Sequence, residues 1–472
     1  MISDSRGAAG LVVAATQPAA DAGAGALAAG GTAVDAAVAA GFALCVVDAA
    51  NCGVGGYGGF LTYLPPDGEP VEVDFNTWVP ERVDPAGFRQ PGDVDQQLRS
   101  GPAVAPPATV PGLVAAHERF GRLPLADLVA PAIRLAGEGF PVGHDLGRAL
   151  AEQWEKRGGG PPELAAVFFP EGRPPVEGER LVLPDLARTL EAIAREGAAP
   201  LRSGPLVEAI CDAVRAAGGF LEPDDFLRDA VVVGPPETVC FESALVAGPP
   251  RQTSGAGVLF GALAAIEPDA LGGENRDRGY VDEVARALLA AWDARTGAAR
   301  LALQSRHTTN LCAADPDGGV VALTFTHGPW FGSGILPAGT GVLLNAGANL
   351  FASTADGPRA LTNMAPVVVR QDDGTRHALG GTGGPRIPAL LLTAIVDVVH
   401  YGLPLADALA APHLSVRALE RELEAEPALL EIAGRGRAMG LRDYGPAAGI
   451  TRTDAGSFPA VDPRFGSGVA SV

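Results

Sequence analysis

The run His307 to Gly319, HTTNLCAADPDGG, sets two threonines side by side at the mouth of a strand-like alternation. A threonine hydroxyl is a weak nucleophile until a base takes its proton. An α-amine, with a reference pKa of about 7.7–8.0, can be that base near neutral pH. Cutting the bond between His307 and Thr308 would put nucleophile and base on one residue, with a covalent acyl-enzyme as the intermediate. Threonine is also β-branched and favours strands for steric reasons alone, so the bare pair decides nothing.

An acyl-enzyme needs donors for its oxyanion. GGTGGPR, Gly380 to Arg386, places consecutive glycines at a strand-to-helix junction, where backbone N–H groups point outward. A partner for the nucleophile follows from register. The Asp317-Gly318 turn pairs the strand beginning at Thr308 with VVALTFT. If the turn is symmetric about residue 317, residues whose numbers add to about 634 face each other, which sets Thr326 opposite Thr308.

These residues need elements to hold them. Two Ala-rich helices are predicted between 19 and 49, the second capped by Thr32 with Asp35 in its first turn. FLTYLPPDGEPVEVDF reads as a hairpin. Residues 99–112 read as an extended crossing segment, followed by helical patterns at 112–137, 183–219 and about 279–296. Beyond 307 the period becomes strand-like, with TTNLCAA, VVALTFT, GVLLNA, PVVVRQ and TRHALGG as strands, and then a helix from about Arg386 to His400. Strands and helices in this order predict an α+β architecture, sheet layers covered by helices.

Composition narrows the function. The chain of 472 residues has a formal net charge of -20, which repels nucleic acid and anionic lipid, so neither is expected as a partner. The only lysine is Lys156, and no Gly-rich stretch ends in Lys-Ser or Lys-Thr, which excludes a P-loop. GVGGYGG, Gly53 to Gly59, contains G-x-G-x-x-G, but a helix precedes it and a strand follows, the reverse of a dinucleotide site. DPDGG lacks the later acidic ligands of a calcium loop and reads as a turn. The cysteines at 45, 52, 211, 240 and 312 show no metal spacing and read as free and mostly buried thiols. No metal or cofactor is expected. Absence of a long apolar run predicts no membrane span, and the poor N-terminal signal predicts a cytoplasmic protein.

The text around the threonines resembles the γ-glutamyltransferase family of N-terminal nucleophile hydrolases across nearly the whole chain. The resemblance is carried by GALAAGGTAVDAAVAAGFAL, GVGGYGGFLTY, ATVPGLVAAHERFGRLPLADLVAPAIRLAGEGFPV, TTNLCAADPDGGVVALTFT, FGSGILPAGTGVLLN, GGTGGPRIPALLLTAIVDVVHYGL and DPRFGSG. It implies a four-layer αββα sandwich and a chain that cuts itself between His307 and Thr308. Large (1–307) and small (308–472) subunits would then stay together as one structural unit. It further implies Thr308 as nucleophile, Thr326 as the threonine that hydrogen-bonds it, and Gly383 and Gly384 at the oxyanion hole.

Departures from the family pattern fall where an amino-acid substrate would be gripped. The expected arginine after DFNTWVP aligns with Pro85, with Arg82 nearby. An expected asparagine is replaced in His327-Gly328. The acidic pair becomes Asn349-Leu350, Ser-Ser before Met becomes Thr362-Asn363, and Asn310 follows the threonine pair. The segment between AWDAR and the cut site is shorter than usual. An unpaired α-ammonium or α-carboxylate in such a pocket is costly. The expected substrate is therefore a small amide other than glutathione. Two rivals stand beside it: true γ-glutamyl transfer with Arg82, Asn349, Thr362 or Asn363 as substitute anchors, and an uncut homologue without activity. The sequence leaves open a homo-oligomer and whether water or an amine is the acceptor.

Overall fold

The computed structural model describes residues 7–80, 82, 97–229, 231–273, 275–295, 307–349, 351–354, 357–440 and 445–472. Thirteen strands among them build two facing sheets. In chain order they are β1 (Leu11–Ala14), β2 (Gly58–Leu64), β3 (Val71–Asp74), β4 (Val232–Gly234), β5 (Glu237–Phe241), β6 (Ala244–Gly248), β7 (Thr309–Ala314), β8 (Val320–Thr326), β9 (Val367–Arg370), β10 (Arg376–Gly381), β11 (Ala447–Thr453), β12 (Gly456–Val461) and β13 (Gly468–Ser471). The first sheet has the order β13-β1-β7-β8-β2-β3-β4, the second β12-β11-β10-β9-β6-β5, with antiparallel neighbours throughout.

Side-chain alternation along β7 and β8 decides the layering. Cys312, Ala314, Val320 and Ala322 point one way and meet Ala247, Val368, Ala378, Ala448 and Ile450 of the second sheet. Leu311, Ala313, Val321, Leu323 and Phe325 point the other way, into a core with the helices Gln17–Ala28, Ala33–Val47 and Leu125–Glu138. Helices Ala256–Ala265, Arg278–Ala294 and Ile387–Val399 cover the second sheet's outer face. The architecture is the αββα sandwich.

Local chemistry explains why the elements start where they do. Thr32 accepts from the Asp35 amide at 3.1 Å and Asp35 accepts from the Thr32 amide at 2.9 Å, a reciprocal cap. Asp315 of the DPDGG turn accepts from Gly319 N at 2.8 Å and from Ala33 N at 2.9 Å, so one carboxylate closes the β7–β8 hairpin and caps a helix across the core. Several predicted boundaries shift. A helix begins at Thr109, inside the segment expected to be extended, because Pro111 lies in its first turn, where its missing N–H goes unused. The pattern at 112–137 breaks at Gly121 to Pro124 into two helices, and 183–219 breaks into Pro184–Glu196 and Pro205–Ala216. GVLLNA is not a strand. An isolated bridge joins its Leu344 to Gly55, in the glycine run ahead of β2, and Asn345 ties it to Gly55 and Ala105 by side-chain hydrogen bonds.

Candidate active site

The β7–β8 register is the one expected: Phe325 pairs with Thr309, Thr324 with Asn310, and Val320 with Ala314. One step further sets Thr326 against Thr308. Both side chains share the inter-sheet face with Asn310 and Thr324, because alternate residues share a face. Thr326 is buried and Thr308 nearly so, at 8% exposure, so the pair sits just below the surface.

The hydrogen bond of Thr326 differs from the sequence expectation. Its hydroxyl donates to the carbonyl oxygen of His307 at 2.8 Å, and accepts from Gly328 N at 2.9 Å. The backbone oxygen of Asn51 lies further off, at 3.2 Å. The single hydroxyl proton thus rests on the carbonyl of the very bond that joins His307 to Thr308, rather than on the Thr308 hydroxyl. In an unbroken chain that carbonyl is present and is the better acceptor.

His307 is itself held. Its ring stacks on Trp330 with centroids 4.5 Å apart. Trp330 donates to Asn51 Oδ1 at 3.1 Å, and Asn51 donates to Asp48 Oδ1 at 2.8 Å. Burial raises the Asp48 carboxyl to about 7, opposed by its hydrogen-bonding neighbours Thr309 and Asn51. His327, which with Gly328 stands where the family pattern has Leu-Asn, turns away from the cleft: Nε2 meets Ala50 O at 2.8 Å, and burial lowers its pKa to about 4. It is a neutral strut for the loop before the glycine run.

Glycines bring the other side of the cleft close. A Cβ on Gly380 would lie 3.0 Å from Asn310 Nδ2 and 3.2 Å from Thr324 Oγ1, so β10 crosses this pair at near contact. At its start, Arg376 donates to Gly318 O at 2.9 Å, at the hairpin turn. Strand β10 therefore runs along the hairpin from turn to open end, and Gly383 and Gly384 lie beyond Gly380 on the way to Thr308 and Thr326. Both have left-handed backbones, φ 109° and 63°, which a side chain would strain. Arg386 after them is clamped by Glu424 at 2.9 and 3.0 Å.

The proposed anchors divide. Arg82 is exposed and pairs with Glu222 at 3.0 Å on the surface, so the structure does not bring it to the cleft. Proximity in sequence to the expected arginine carried no spatial information. Pro85 and Leu350 lie outside the described residues, as does the short segment 296–306. Asn349 ends the turn Gly347–Asn349, and its side chain is outside the described part. Thr362 and Asn363 are buried, and Thr362 lies against the hydroxyl of Tyr57. Tyr57 directly precedes Gly58, which pairs with Thr326. Sequence reading missed Arg295, which donates to Thr362 O at 2.9 Å and Asn363 Oδ1 at 3.1 Å. Nothing in the local pattern marks it beyond a charge ending a largely apolar helix.

Comparison with known proteins gives the family and the fold. A family profile described as Gamma-glutamyltranspeptidase matches residues 19–298 and 287–472. The chain belongs to that family. It is 28% identical to the glutathione hydrolase proenzyme of Escherichia coli (strain K12), over 92% of this chain and 87% of that one. It is 31% identical to the acylase ACY 1 proenzyme of Pseudomonas sp. (strain V22), over 89% and 84%. Among solved structures, the cephalosporin acylase from Bacillus halodurans superposes with a TM-score of 0.84 at 22% identity, covering 98% of this chain and 96% of that one, a likeness of fold. Like its relatives, this γ-glutamyltranspeptidase family member is an enzyme of amide hydrolysis or acyl transfer.

Proposed function

We propose that the chain is a self-processing amidohydrolase or acyltransferase whose nucleophile is Thr308. The observation that carries this is the Thr326 hydroxyl on the His307 carbonyl oxygen, beside the Thr308 hydroxyl. A donor there withdraws charge from the carbonyl carbon that Thr308 Oγ would attack. In the first reaction, Thr308 Oγ bonds to the His307 carbonyl carbon and the His307–Thr308 C–N bond breaks, leaving an ester. The hydroxyl proton passes to the departing nitrogen, which becomes the free α-amine of Thr308; water then splits the ester, releasing a carboxylate on His307 and restoring the Thr308 hydroxyl. The products are residues 1–307 and 308–472, held together by the shared sheets. That two relatives are named proenzymes supports such a step.

In the second reaction the α-amine accepts the Thr308 proton, Oγ bonds to the acyl carbon of a small amide, and the amide C–N bond breaks. The leaving amine takes the proton, and water or another amine removes the acyl group. Backbone N–H groups at Gly383 and Gly384 are assigned to the oxyanion. The acyl group is one other than a zwitterionic γ-glutamyl, since Arg82 is engaged on the surface and His327 in the core. The relative named an acylase favours the same choice. Intact-mass analysis tests the reading: fresh protein gives two fragments with a junction before Thr308, and incubation with a reactive amide adds one acyl mass to the smaller. A single full-length species after long incubation overturns it.

A further inference from the structure

The turn Asp48 to Cys52 closes the buried helix Ala33–Val47 and grips the end of β8 and the loop after it. Ala50 O accepts from Phe331 N at 2.9 Å and meets His327 Nε2 at 2.8 Å. Asn51 O accepts from His327 N at 3.2 Å and lies 3.2 Å from the Thr326 hydroxyl. Asn51 Oδ1 accepts from the Trp330 indole at 3.1 Å, and His307 stacks on that indole. The turn is itself held by Asp48. Its carbonyl oxygen accepts from Asn51 N at 2.9 Å, and its Oδ1 from Asn51 Nδ2 at 2.8 Å. The second bond fixes the sense of the Asn51 amide. An indole only donates, so Trp330 needs the oxygen end of that amide, and an acceptor at residue 48 keeps the nitrogen end away.

We propose that Asp48 is a positioning residue for self-cleavage: it orients the Asn51 amide and, through it, the Trp330 platform on which His307 rests. This depends on the reading that the chain cuts itself before Thr308. Asparagine could make the same bonds; aspartate differs in that it can ionise, and this is a poor place for a charge. The carboxyl stands at the negative end of a helix, is 5% exposed, and has Oδ2 enclosed without a hydrogen bond of good geometry. The ionisable groups around it offer no relief. Asp145, on the helix His144–Arg157, is a like charge that also raises the Asp48 pKa, and it pairs instead with Arg148. The Cys52 thiol, beside Cys45, is kept neutral by burial, and so is His327 at the end of β8. His307 and Arg148 lie against the Trp330 ring, with the Arg148 guanidinium carbon 4.9 Å from its centre. On β7, Thr309 offers a hydroxyl, which can accept the proton of the neutral acid. The neutral form therefore keeps the turn closed. Ionisation sets an unsolvated charge inside it, which the turn must open to hydrate, releasing Trp330 and His307.

The test follows cutting of freshly synthesised full chain by intact mass, from about pH 5.5 to 9, for wild type, Asp48→Asn and Asp48→Ala. Circular dichroism at each pH confirms that the chain is folded. Asp48→Asn keeps the oxygen that Asn51 needs and cannot ionise. The ratio of wild-type to Asp48→Asn rates cancels the pH dependence of every other group. It is expected to be constant below about pH 6 and to fall above about 7, approaching at most about 10-fold per pH unit, as the neutral fraction of Asp48 does. Asp48→Ala, which frees the Asn51 amide, should cut at least about 5-fold more slowly than Asp48→Asn at every pH. A folded Asp48→Ala that keeps pace with Asp48→Asn overturns the proposal. A flat ratio across the whole range overturns it too, and needs no alanine variant, so poor folding of Asp48→Ala cannot shield it. A wild type that cuts at no pH rejects self-cleavage itself and this inference with it, whereas a wild type that cuts with a flat ratio rejects the role of Asp48 alone.

Discussion

Replacing Thr326 by valine removes one hydroxyl and preserves the β-branched shape, so the strand and the core volume stay as they are. The hydroxyl serves two backbone groups, donating to His307 O at 2.8 Å and accepting from Gly328 N at 2.9 Å. Two consequences can be separated. For stability, the buried Gly328 N–H loses its partner, a penalty of about 1–3 kcal/mol. For self-cleavage, the carbonyl loses a preorganised donor aimed at the oxygen where negative charge develops. Removal of such a donor typically slows reaction about 10²- to 10³-fold, or about 3–4 kcal/mol in the barrier. Thr326→Ser keeps the hydroxyl and should cut at nearly the wild-type rate.

The assay follows residues 1–307 and 308–472 by intact mass over time after rapid purification, with thermal unfolding measured in parallel. The expected order of cutting is wild type, then Thr326→Ser close behind, then Thr326→Val slower by about two orders of magnitude or more, with Thr308→Ala uncut. If the folded valine variant processes as fast as the wild type, the hydrogen bond to His307 has no part in cleavage and the argument from it is wrong.

Other expectations rest on separate observations. Gly383→Ala forces a side chain onto φ 109° and displaces the proposed oxyanion donors, so turnover should fall more than KM rises; a kcat like the wild type's would remove Gly383 from the site. Glutathione and γ-glutamyl anilides should be poor substrates, whereas a kcat/KM of about 10⁴ M⁻¹s⁻¹ or above would mean another grip exists. The Asp48 carboxyl has a folded pKa near 7 against the ordinary 3.8, so its protonated form is the one the fold prefers. Its contribution to stability is full below about 4 and is lost as pH rises towards 7. Asp48→Asn should therefore gain on the wild type in thermal stability as pH climbs through that window, by up to about 4 kcal/mol, and then level off; a difference that is flat or shrinks with pH contradicts it. His327, held neutral with a pKa near 4, works in the opposite sense, losing stability as pH falls from about 6.5 towards 4. A His327→Gln protein with unchanged acid sensitivity would show that this histidine is not responsible.

What the sequence made legible was local or periodic. The Asp-Gly turn fixes a register, and with it the opposition of Thr308 and Thr326, because period-two strands allow no half-step. The cap at Thr32 and Asp35 is readable for the same reason: both partners lie within one turn. Contacts between distant segments were not readable. Arg82 stands near the expected arginine in sequence, yet its reach ends at Glu222, 140 residues on. Arg295, at the end of the helix Arg278–Ala294, and Thr362, in the segment leading into β9, are far apart in sequence and meet only in the fold, and neither residue carries a pattern that predicts the other. GVLLNA has the composition of a strand, but Asn345 uses its amide to join loops, and no apolar periodicity reports that.

The one disagreement at the centre of the site has a physical resolution. The family pattern implies that Thr326 bonds the nucleophile, whereas in the unbroken chain its proton lies on the His307 carbonyl. A hydroxyl has a single proton, so it cannot serve both acceptors at once. While the chain is whole, the carbonyl is fixed beside it by the stack of His307 on Trp330. If cleavage turns that carbonyl into part of a free carboxylate, the constraint on its position ends, and the Thr326 proton is released to the Thr308 hydroxyl that faces it by register, in competition with Asn51 O at 3.2 Å. The same donor would then act first on the bond that is cut and afterwards on the residue that the cut exposes. This ordering predicts that Thr326→Val harms both reactions, cleavage and turnover, whereas a residue acting only on the scissile carbonyl, such as Trp330, should matter for cleavage alone. Trp330→Leu removes the stack that holds His307 and leaves the β7–β8 pairing intact. If mature Trp330→Leu enzyme, once cut, loses turnover as severely as Thr326→Val, the separation of the two roles fails.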